Sequence, residues 1–175
     1  MSKLNVDQKA IIDLLSDKKA DFLIPDYQRP YAWSEEQCQT LWDDIFLFSF
    51  PDNNYEAFDD NEEYFLGSIV TYKNENGKSE VIDGQQRLTT LMLMLRAFYD
   101  KFESMKDKNS ILTRDRIEKC IWKTDTFGTA DKNTLKIDSE VATDNDKDEF
   151  LDLLRTGVVK KGSKSQYVLN YQFFQ

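Results

Sequence analysis

A strand-to-helix junction carries the residues best suited to chemistry in this chain. In the segment VIDGQQR, residues 81–87, a short apolar run stops at DGQQR, and a strongly apolar helical run begins at once after it. A helix that starts at the tip of a strand offers backbone N–H groups and a positive helix end, which together bind anions. Gly84 permits a tight turn and a close ligand approach. Arg87 follows Asp83 by about one helical turn, so its guanidinium can hold a phosphate with two donors. The pattern predicts an anion site.

The pattern alone leaves two interpretations of this junction open. In the first, Asp83 caps the helix, orients Arg87 or holds a divalent metal, and the amides of Gln85 and Gln86 contact a ligand. In the second, Asp83 is only an N-cap, Arg87 is its ion-pair partner, and the glutamines are solvated residues of the first turn. An Asp-Gly pair at a helix start is common, and the segment is neither a Walker A loop nor GxGxxG.

The composition indicates a globular chain with an acidic surface. The 175 residues are 40% hydrophobic and 13% aromatic, which is enough for one substantial core. The net charge of −9 disfavours a protein whose whole surface binds nucleic acid, but it allows a local anion site. The chain has no histidine. Histidine-based triads, HNH-type nuclease centres and most catalytic zinc sites are therefore excluded from it.

Cysteine spacing and the length of apolar runs indicate the cellular compartment of the protein. Cys38 and Cys120 lie far apart and no Cys-x-x-Cys spacing occurs, so we expect reduced, buried thiols rather than a disulfide framework or a zinc knuckle. No run approaches the roughly 20 apolar residues that a membrane span requires. The N-terminus has no apolar leader stretch. We expect a cytoplasmic protein with no membrane partner.

The hydrophobic pattern predicts short elements before the junction. A short amphipathic helix is predicted over residues 7–15, and a strand over residues 22–25, which Pro25 either ends or places at a sheet edge. DYQRPY then reads as an extended segment. Ser34 and Gln37 match a capping box at the start of a helical pattern.

The remaining elements follow from the same periodicities. Residues 50–63 are acidic and aperiodic, which predicts a surface loop, and the strands YFLGSIVTY and SEVI are predicted to form a hairpin around Asn76-Gly77. From Leu88 a helix that is apolar on nearly every face is predicted to be the centre of the core. The second half predicts a helix at RDRIEKCIW, a strand at TLKID, a helix at DKDEFLDLLR, a linker-like stretch at residues 160–165 and a helical YVLNYQFFQ.

Four sequence blocks resemble one protein family. IPDYQRPYAW, LWDDI, YFLGSIVTY and VIDGQQRLTTL occur in that order over roughly residues 20–102. They resemble the DGQQR-signature domain family typified by the GmrS half of the GmrSD modification-dependent (type IV) restriction enzymes. LKID and the acidic-aromatic spacing after it resemble that family more weakly. The resemblance implies an α+β fold of the ParB/sulfiredoxin kind, in which a small mixed β-sheet packed by helices binds nucleotide phosphates at a helix N-terminus.

We divide the chain on this basis into two parts. Residues 1–110 are predicted to form a ParB-like DGQQR nucleotide-binding domain. Residues 111–175 are predicted to form a helical extension. Because the final apolar segment has no stop signal, we expect this part to be the truncated start of a longer chain.

The resemblance also implies a nucleotide site made of two motifs. Asp83 would bind a metal or orient water, and Arg87 and Arg29 would stabilise phosphate charge, including the charge that develops during phosphoryl transfer. These three are the implied catalytic residues. The implied cofactors are a nucleoside triphosphate and Mg²⁺. The implied binding residues are Tyr27, Gln28 and Arg29 of the YQR motif and Asp83, Gly84, Gln85, Gln86 and Arg87 of the DGQQR motif.

Several nearby residues have both a ligand-contacting and a structural interpretation. For the tryptophans a core role is favoured over base stacking, and first-turn threonines commonly bond only to backbone. The acidic loop at residues 52–63 is expected to be solvated rather than to bind a metal. The residues with two interpretations are Tyr27, Trp33, Trp42, Gly67, Ser68, Thr89 and Thr90.

The function that the resemblance implies is NTP binding and hydrolysis by a regulatory and sensor domain in defence against phage DNA. Its partners would be nucleotide, modified or phage DNA in the full-length system, and a C-terminal HNH-type nuclease domain in cis or in trans. Without histidine the chain is not expected to cleave DNA itself. Two other functions stay open, namely a non-catalytic DNA- or nucleotide-binding module and a protein–protein scaffold.

Overall fold

Helices and short strands alternate along the chain in the computed structural model, which describes residues 5–59 and 61–175. Two 3₁₀ turns, Pro51–Asn53 and Tyr55–Ala57, lie in the acidic loop. The helices together with a small mixed sheet confirm the predicted α+β class. The elements are α1 (Ile11–Ser16), β1 (Phe22–Ile24), α2 (Glu35–Ser49), β2 (Val70–Lys73), β3 (Ser79–Asp83), α3 (Gln85–Phe102), α4 (Lys108–Ile121), β4 (Trp122–Thr124), β5 (Ala130–Leu135), β6 (Ile137–Ser139), α5 (Lys147–Thr156) and α6 (Gln166–Phe174).

The main sheet has the strand order β2-β3-β1-β6. Strands β2 and β3 form the predicted antiparallel hairpin, and the Gly77 N–H donates to the Asn74 carbonyl across its turn at 2.9 Å. Strand β1 is parallel to both β3 and β6. Pro25 ends β1 as predicted, but its placement at a sheet edge is wrong, because β1 lies between two strands. The central position of β1 brings the segment after it beside the end of β3.

Two predicted strands are shorter or more divided than the pattern suggested. In YFLGSIVTY only the part from Val70 onward is strand, since Gly67 has φ +99°, which breaks the extended conformation. TLKID is split at Lys136, with β5 in a separate two-stranded sheet beside β4 and β6 in the main sheet. The first departure matters for the site, because residues 64–69 cross over the start of α3 instead of pairing in the sheet.

Lys136 is fully buried at the point where the chain passes between the two sheets. Its ammonium donates to the carbonyls of Leu15 at 2.9 Å and Asp17 at 2.7 Å, at the C-terminal end of α1. Burial lowers the pKa of Lys136. The two carbonyls satisfy the charged group and cap the last turn of α1, which fixes this short helix against the second half of the chain.

Helix α3 is the centre of the core, as predicted. Leu88, Met92, Leu93 and Ala97 are completely buried, and Val81 on β3 belongs to the same apolar cluster. The helix packs against α4, α5 and α6. Packing against these three helices and β3 fixes the direction of α3, and with it the position of the first turn that carries the DGQQR residues.

The other predicted helices form close to their expected positions. Ser34 and Gln37 form the capping box at the start of α2, and α1 begins only at Ile11. The aromatic residues of α6 are turned into the core, with Tyr167 and Tyr171 buried. The predicted boundary at residue 110 falls inside α4, and residues 111–175 contribute strands as well as helices.

The two cysteines are free and buried, as expected. Burial raises the pKa of each thiol from its ordinary value of 9.0 to about 11. The folded chain therefore keeps these protons at a pH where the unfolded chain has released them, so the free energy of unfolding falls as pH rises above about 9.

We expect Cys120→Ala to weaken this pH dependence. In urea unfolding between about pH 8 and about pH 10, the wild type should lose about 1 kcal/mol more than the variant. Cys38→Ala serves as a second test of the same effect. Parallel falls in the wild type and in both variants would show that the thiols are not responsible.

None of the helices in the described ranges has the length and apolar character needed to cross a membrane.

Candidate functional site

The junction between β3 and α3 is a tight left-handed turn. Asp83 is the last residue of β3, Gly84 follows with φ +86° and ψ 9°, and α3 begins at Gln85. Gly84 is therefore the N-cap residue, and the prediction that Asp83 caps the helix is wrong. Since glycine has no side chain, the N-cap supplies no acceptor to the N–H groups of the first turn. These groups and the positive end of the helix dipole lie at the tip of β3.

The two glutamines of the motif bind backbone of the segment after β1. Gln85 donates from Nε2 to the Arg29 carbonyl at 3.0 Å. Gln86 donates from Nε2 to the Pro30 carbonyl at 3.1 Å and accepts from the Ala32 N–H at 2.8 Å. Both side chains are only 7% exposed, so the interpretation as solvated first-turn residues is wrong. Their amide NH₂ groups are engaged within the fold, and they hold the YQR segment against the start of α3.

Gln28 completes this connection from the other side. Its Nε2 donates to the carbonyls of Val81 at 3.2 Å and Ile82 at 3.0 Å, both on β3. Each motif therefore binds, through its glutamine side chains, backbone that belongs to the other motif or lies next to it in sequence. Such bonds fix the relative position of two chain segments that are more than fifty residues apart in sequence.

The guanidinium of Arg87 is held under the segment that precedes β2. Its Nη1 donates to the Ser68 carbonyl at 3.1 Å. A Cβ placed on Gly67 would lie 2.6 Å from Cζ of Arg87, so a side chain at this position would displace the guanidinium. Gly67 and Ser68 thus act as a strap over Arg87, and we call residues 64–68 the strap below.

Arg87 does not pair with Asp83. Among the ion pairs of residues 5–59 and 61–175 none joins these two side chains, which overturns the interpretation of Arg87 as the partner of Asp83. In the same ranges the exposed guanidinium of Arg29 makes no hydrogen bond or ion pair. Both arginines therefore keep donors available for an anion, five N–H groups on Arg29 and the remaining ones on Arg87.

A surface cleft of about 260 Å³ brings most of these residues together. Asp83 is the one carboxylate among its lining residues, against two guanidiniums. In a chain of net charge −9 this is a locally positive opening. The lining residues are Gln28, Arg29, Trp33, Ser68, Ile82, Asp83, Gly84, Gln85, Gln86 and Arg87.

Some predicted site residues lie outside the cleft. Tyr27 is 64% exposed, sits in the turn after β1 and is not among the lining residues. Thr90 is buried and donates to the Gln86 carbonyl at 2.8 Å within its own helix, and Thr89 is buried as well. Trp42 packs edge-on against Phe98. These side chains serve the fold in the positions that the structure gives them.

Three contributors to the cleft were missed or undervalued by sequence reasoning. Ile82 supplies an apolar wall and is 45% exposed. Trp33 is half-buried and lines the cleft while also packing on the core. Ser68 contributes its backbone carbonyl rather than its hydroxyl. A carbonyl leaves no mark in a sequence, although Gly67 beside it was a usable signal for a close backbone approach.

Helix α6 supports the segment that carries Arg29 from behind. Asn170 donates from Nδ2 to the Tyr31 hydroxyl and to the Trp33 carbonyl, both at 2.7 Å. Tyr31 stacks on Tyr167 with ring centroids 4.8 Å apart. Residues far beyond both motifs therefore hold one wall of the cleft in place.

Fold and site together define an α+β domain with a basic cleft at a strand-to-helix junction. The model of the GmrSD restriction endonuclease N-terminal domain family matches residues 11–175, and the chain belongs to that family. The resemblance found in the four sequence blocks is thereby confirmed. That description implies a multidomain restriction protein with a nuclease domain as the partner of this one. A search of the curated proteins gave no significant match.

Proposed function

We propose that the cleft binds the phosphates of a nucleoside triphosphate, and that the domain hydrolyses it as the regulatory and sensor part of a modification-dependent restriction protein. The observation that carries this proposal is the convergence of Arg29, Arg87 and the N-terminus of α3 on one cleft with a single carboxylate. Guanidinium groups and a helix N-terminus are the protein groups that best match phosphate oxygens. The relation to the ParB/sulfiredoxin fold stays a prediction that agrees with this use of the junction.

The two arginines have different parts in this proposal. Arg29 is exposed and without a partner in the described ranges, so it turns toward a terminal phosphate without breaking a bond. Arg87 is oriented by Ser68 through one nitrogen and offers its other donors to the phosphate chain. Donors fixed in this way stabilise the charge that spreads over the phosphoryl group as its bond to the leaving oxygen breaks.

Asp83 supplies the carboxylate chemistry of the proposed site. It lines the cleft and is exposed at the end of β3. In the described part of the chain no three His, Cys, Asp or Glu side chains group as metal ligands. A single carboxylate fits Mg²⁺ in this setting, because Mg²⁺ commonly takes one or two carboxylates and completes its shell with phosphate oxygens and water. When bound, Mg²⁺ would neutralise phosphate charge, while Asp83 holds it or orients the attacking water.

The other motif residues position these groups. Gly84 forms the turn that brings the start of α3 to the cleft. Gln28, Gln85 and Gln86 hold the backbone segment that carries Arg29 against β3 and the start of α3, which carries Arg87. In the full-length system we propose that hydrolysis gates the nuclease domain and that modified phage DNA is what is sensed. A non-catalytic nucleotide- or DNA-binding module and a scaffold are the functions that the following experiment separates from this one.

We expect Arg87→Ala to abolish nucleotide binding while leaving the domain folded. The wild type with Mg²⁺ and GTP, ATP, CTP or UTP should show a nucleotide-dependent rise in Tm by linkage of binding to folding. The variant should show none, and its Tm without nucleotide should change little, because the side chain makes one hydrogen bond at an accessible position. Differential scanning calorimetry measures both quantities.

Arg155→Ala is the matched control. Arg155 forms a surface ion pair with Asp152 on α5 and lines no part of the cleft, so this variant removes the same charge and should keep the full nucleotide response. An absence of any rise in the folded wild type would contradict the proposed nucleotide site. A rise without phosphate release would leave the binding-module function and exclude hydrolysis by this domain alone.

A further inference from the structure

The negative charge of this chain is concentrated in one stretch. Residues 30–72 contain ten Asp and Glu residues and no Lys or Arg. The rest of the chain holds twenty-two acids against twenty-three bases, so it is almost neutral. The whole net charge of −9 therefore comes from α2 and the acidic loop.

The same stretch exposes large apolar side chains. Leu47 is 63% exposed, Tyr55 72%, and Phe65 79%, and Phe50 and Phe58 of the same stretch are exposed as well. We call these five residues, together with the carboxylates of residues 43–59, 62 and 63, the acidic aromatic face. Monomeric domains seldom leave several large apolar side chains exposed in one place, and such patches mark interaction sites.

The acidic aromatic face is an ordered surface built on a row of ring contacts. Half-buried Phe48 packs against Phe58 at 6.0 Å and against Tyr64 at 5.7 Å between ring centroids. Phe46 packs against Phe50 at 4.9 Å. The loop is thereby attached to the last turns of α2, so its exposed rings and carboxylates present a defined surface rather than a flexible tail.

We propose that the acidic aromatic face docks a basic, amphipathic segment of a protein partner. Exposed aromatic rings supply the apolar contact, and surrounding carboxylates select for Lys and Arg through charge complementarity. Phosphate-bearing surfaces, whether nucleic acid or anionic membrane, are repelled by the carboxylates of this face, because residues 30–72 contain no Lys or Arg. A second copy of this chain that paired through the same face would oppose like charges across a symmetric interface.

The acidic aromatic face is continuous with the cleft through the strap. Tyr64 donates to Asp44 at 2.8 Å on the face side. That bond raises the pKa of the Tyr64 hydroxyl, and the charge of Arg87 acts on this pKa in the opposite sense. Phe65 lies two residues before Gly67, which covers the Arg87 guanidinium. A partner docked on Phe65 would therefore press on the segment that holds Arg87.

The test uses a fluorescein-labelled amphipathic helical peptide of lysine and leucine as the probe. Fluorescence anisotropy follows its binding to the whole domain at low and at high salt. We expect the double variant Phe58→Ser with Phe65→Ser, and separately Glu56→Gln with Glu62→Gln, to weaken binding at least about tenfold. Salt should weaken binding to the wild type as well. Unchanged thermal melts show that the variants are folded.

Matched controls decide whether the effect belongs to this face. Phe127→Ser removes a ring that is 94% exposed, more than either Phe58 or Phe65, from the turn between β4 and β5. Glu75→Gln with Glu140→Gln removes the same charge from exposed positions outside the face. Both controls should change the Kd by less than about twofold. Equal losses in controls and face variants would overturn the proposal, since binding would then follow net charge alone.

Three further outcomes would also overturn it. The first is absence of peptide binding, and the second is a duplex DNA or anionic vesicle that binds the wild type and is released by Phe65→Ser. The third is a dimer in sedimentation velocity that the same substitution dissociates, which would show that the face binds a second copy of this chain. The nucleotide response of Arg87→Ala is measured separately, so failure of the docking face and failure of the nucleotide site are distinguishable.

Discussion

Gly84→Ala should destabilise the domain by about 3 kcal/mol, the largest loss that we expect from adding a single methyl group. About half of this arises because an L-residue at φ +86° occupies the left-handed region. The remainder arises because the new Cβ would lie 2.8 Å from the Ser68 carbonyl oxygen, which belongs to backbone and cannot rotate away. Urea unfolding at neutral pH measures the change.

Gly128→Ala measures the first of these two contributions by itself. Gly128 has the same φ of +86°, but a Cβ there would meet nothing within 4 Å. It should therefore cost about 1–2 kcal/mol, from backbone conformation alone. Equal losses in the two variants would show that the close approach of Ser68 to Gly84 contributes nothing. If Ser68 is pushed away, its carbonyl also leaves Arg87, so the Gly84 variant should lose the nucleotide response that Gly128→Ala retains.

Gln86→Leu should destabilise the domain by about 2–3 kcal/mol. Leucine preserves most of the volume of this buried side chain but leaves the Pro30 carbonyl and the Ala32 N–H without their partners. The cost of an unsatisfied backbone group, rather than lost packing, is then the main term. Chemical unfolding measures the free energy, and amide hydrogen exchange at Ala32 should rise in the variant.

Gln85→Leu is the control for this prediction. Gln85 has the same 7% exposure and begins the same helix, but it makes one hydrogen bond, to the Arg29 carbonyl. Its replacement should cost about half as much. A larger loss for Gln85→Leu than for Gln86→Leu would contradict the ordering by hydrogen-bond number and would point to packing as the dominant effect.

The hydrogen bonds of the motif glutamines show how the cleft is constructed. The side chains that the sequence presents as possible ligand contacts, Gln28, Gln85 and Gln86, spend their donors on backbone carbonyls. The charged lining groups that keep free donors are the two arginines. The polar residues of one motif thus position the charged residues of the other, which explains why the motifs contain amides beside arginines.

The sequence by itself was sufficient for the local features of this protein. The capping box at Ser34, the Asn76-Gly77 hairpin, the long apolar helix after Leu88 and the glycine turn at the junction all depend on neighbouring residues, and each formed as predicted. The family also followed from local blocks in a fixed order. Short-range steric preference and periodicity decide such features, so they can be read one window at a time.

Only the tertiary structure decided what those features do together. It placed β1 between β3 and β6, left residues 64–69 out of the sheet, and closed Gly67 over Arg87. It also turned both motif glutamines toward carbonyls more than fifty residues away. These outcomes depend on backbone groups, which are the same in every residue and so leave no trace in residue type. Which carbonyl meets which side chain is settled by packing of the whole core around α3.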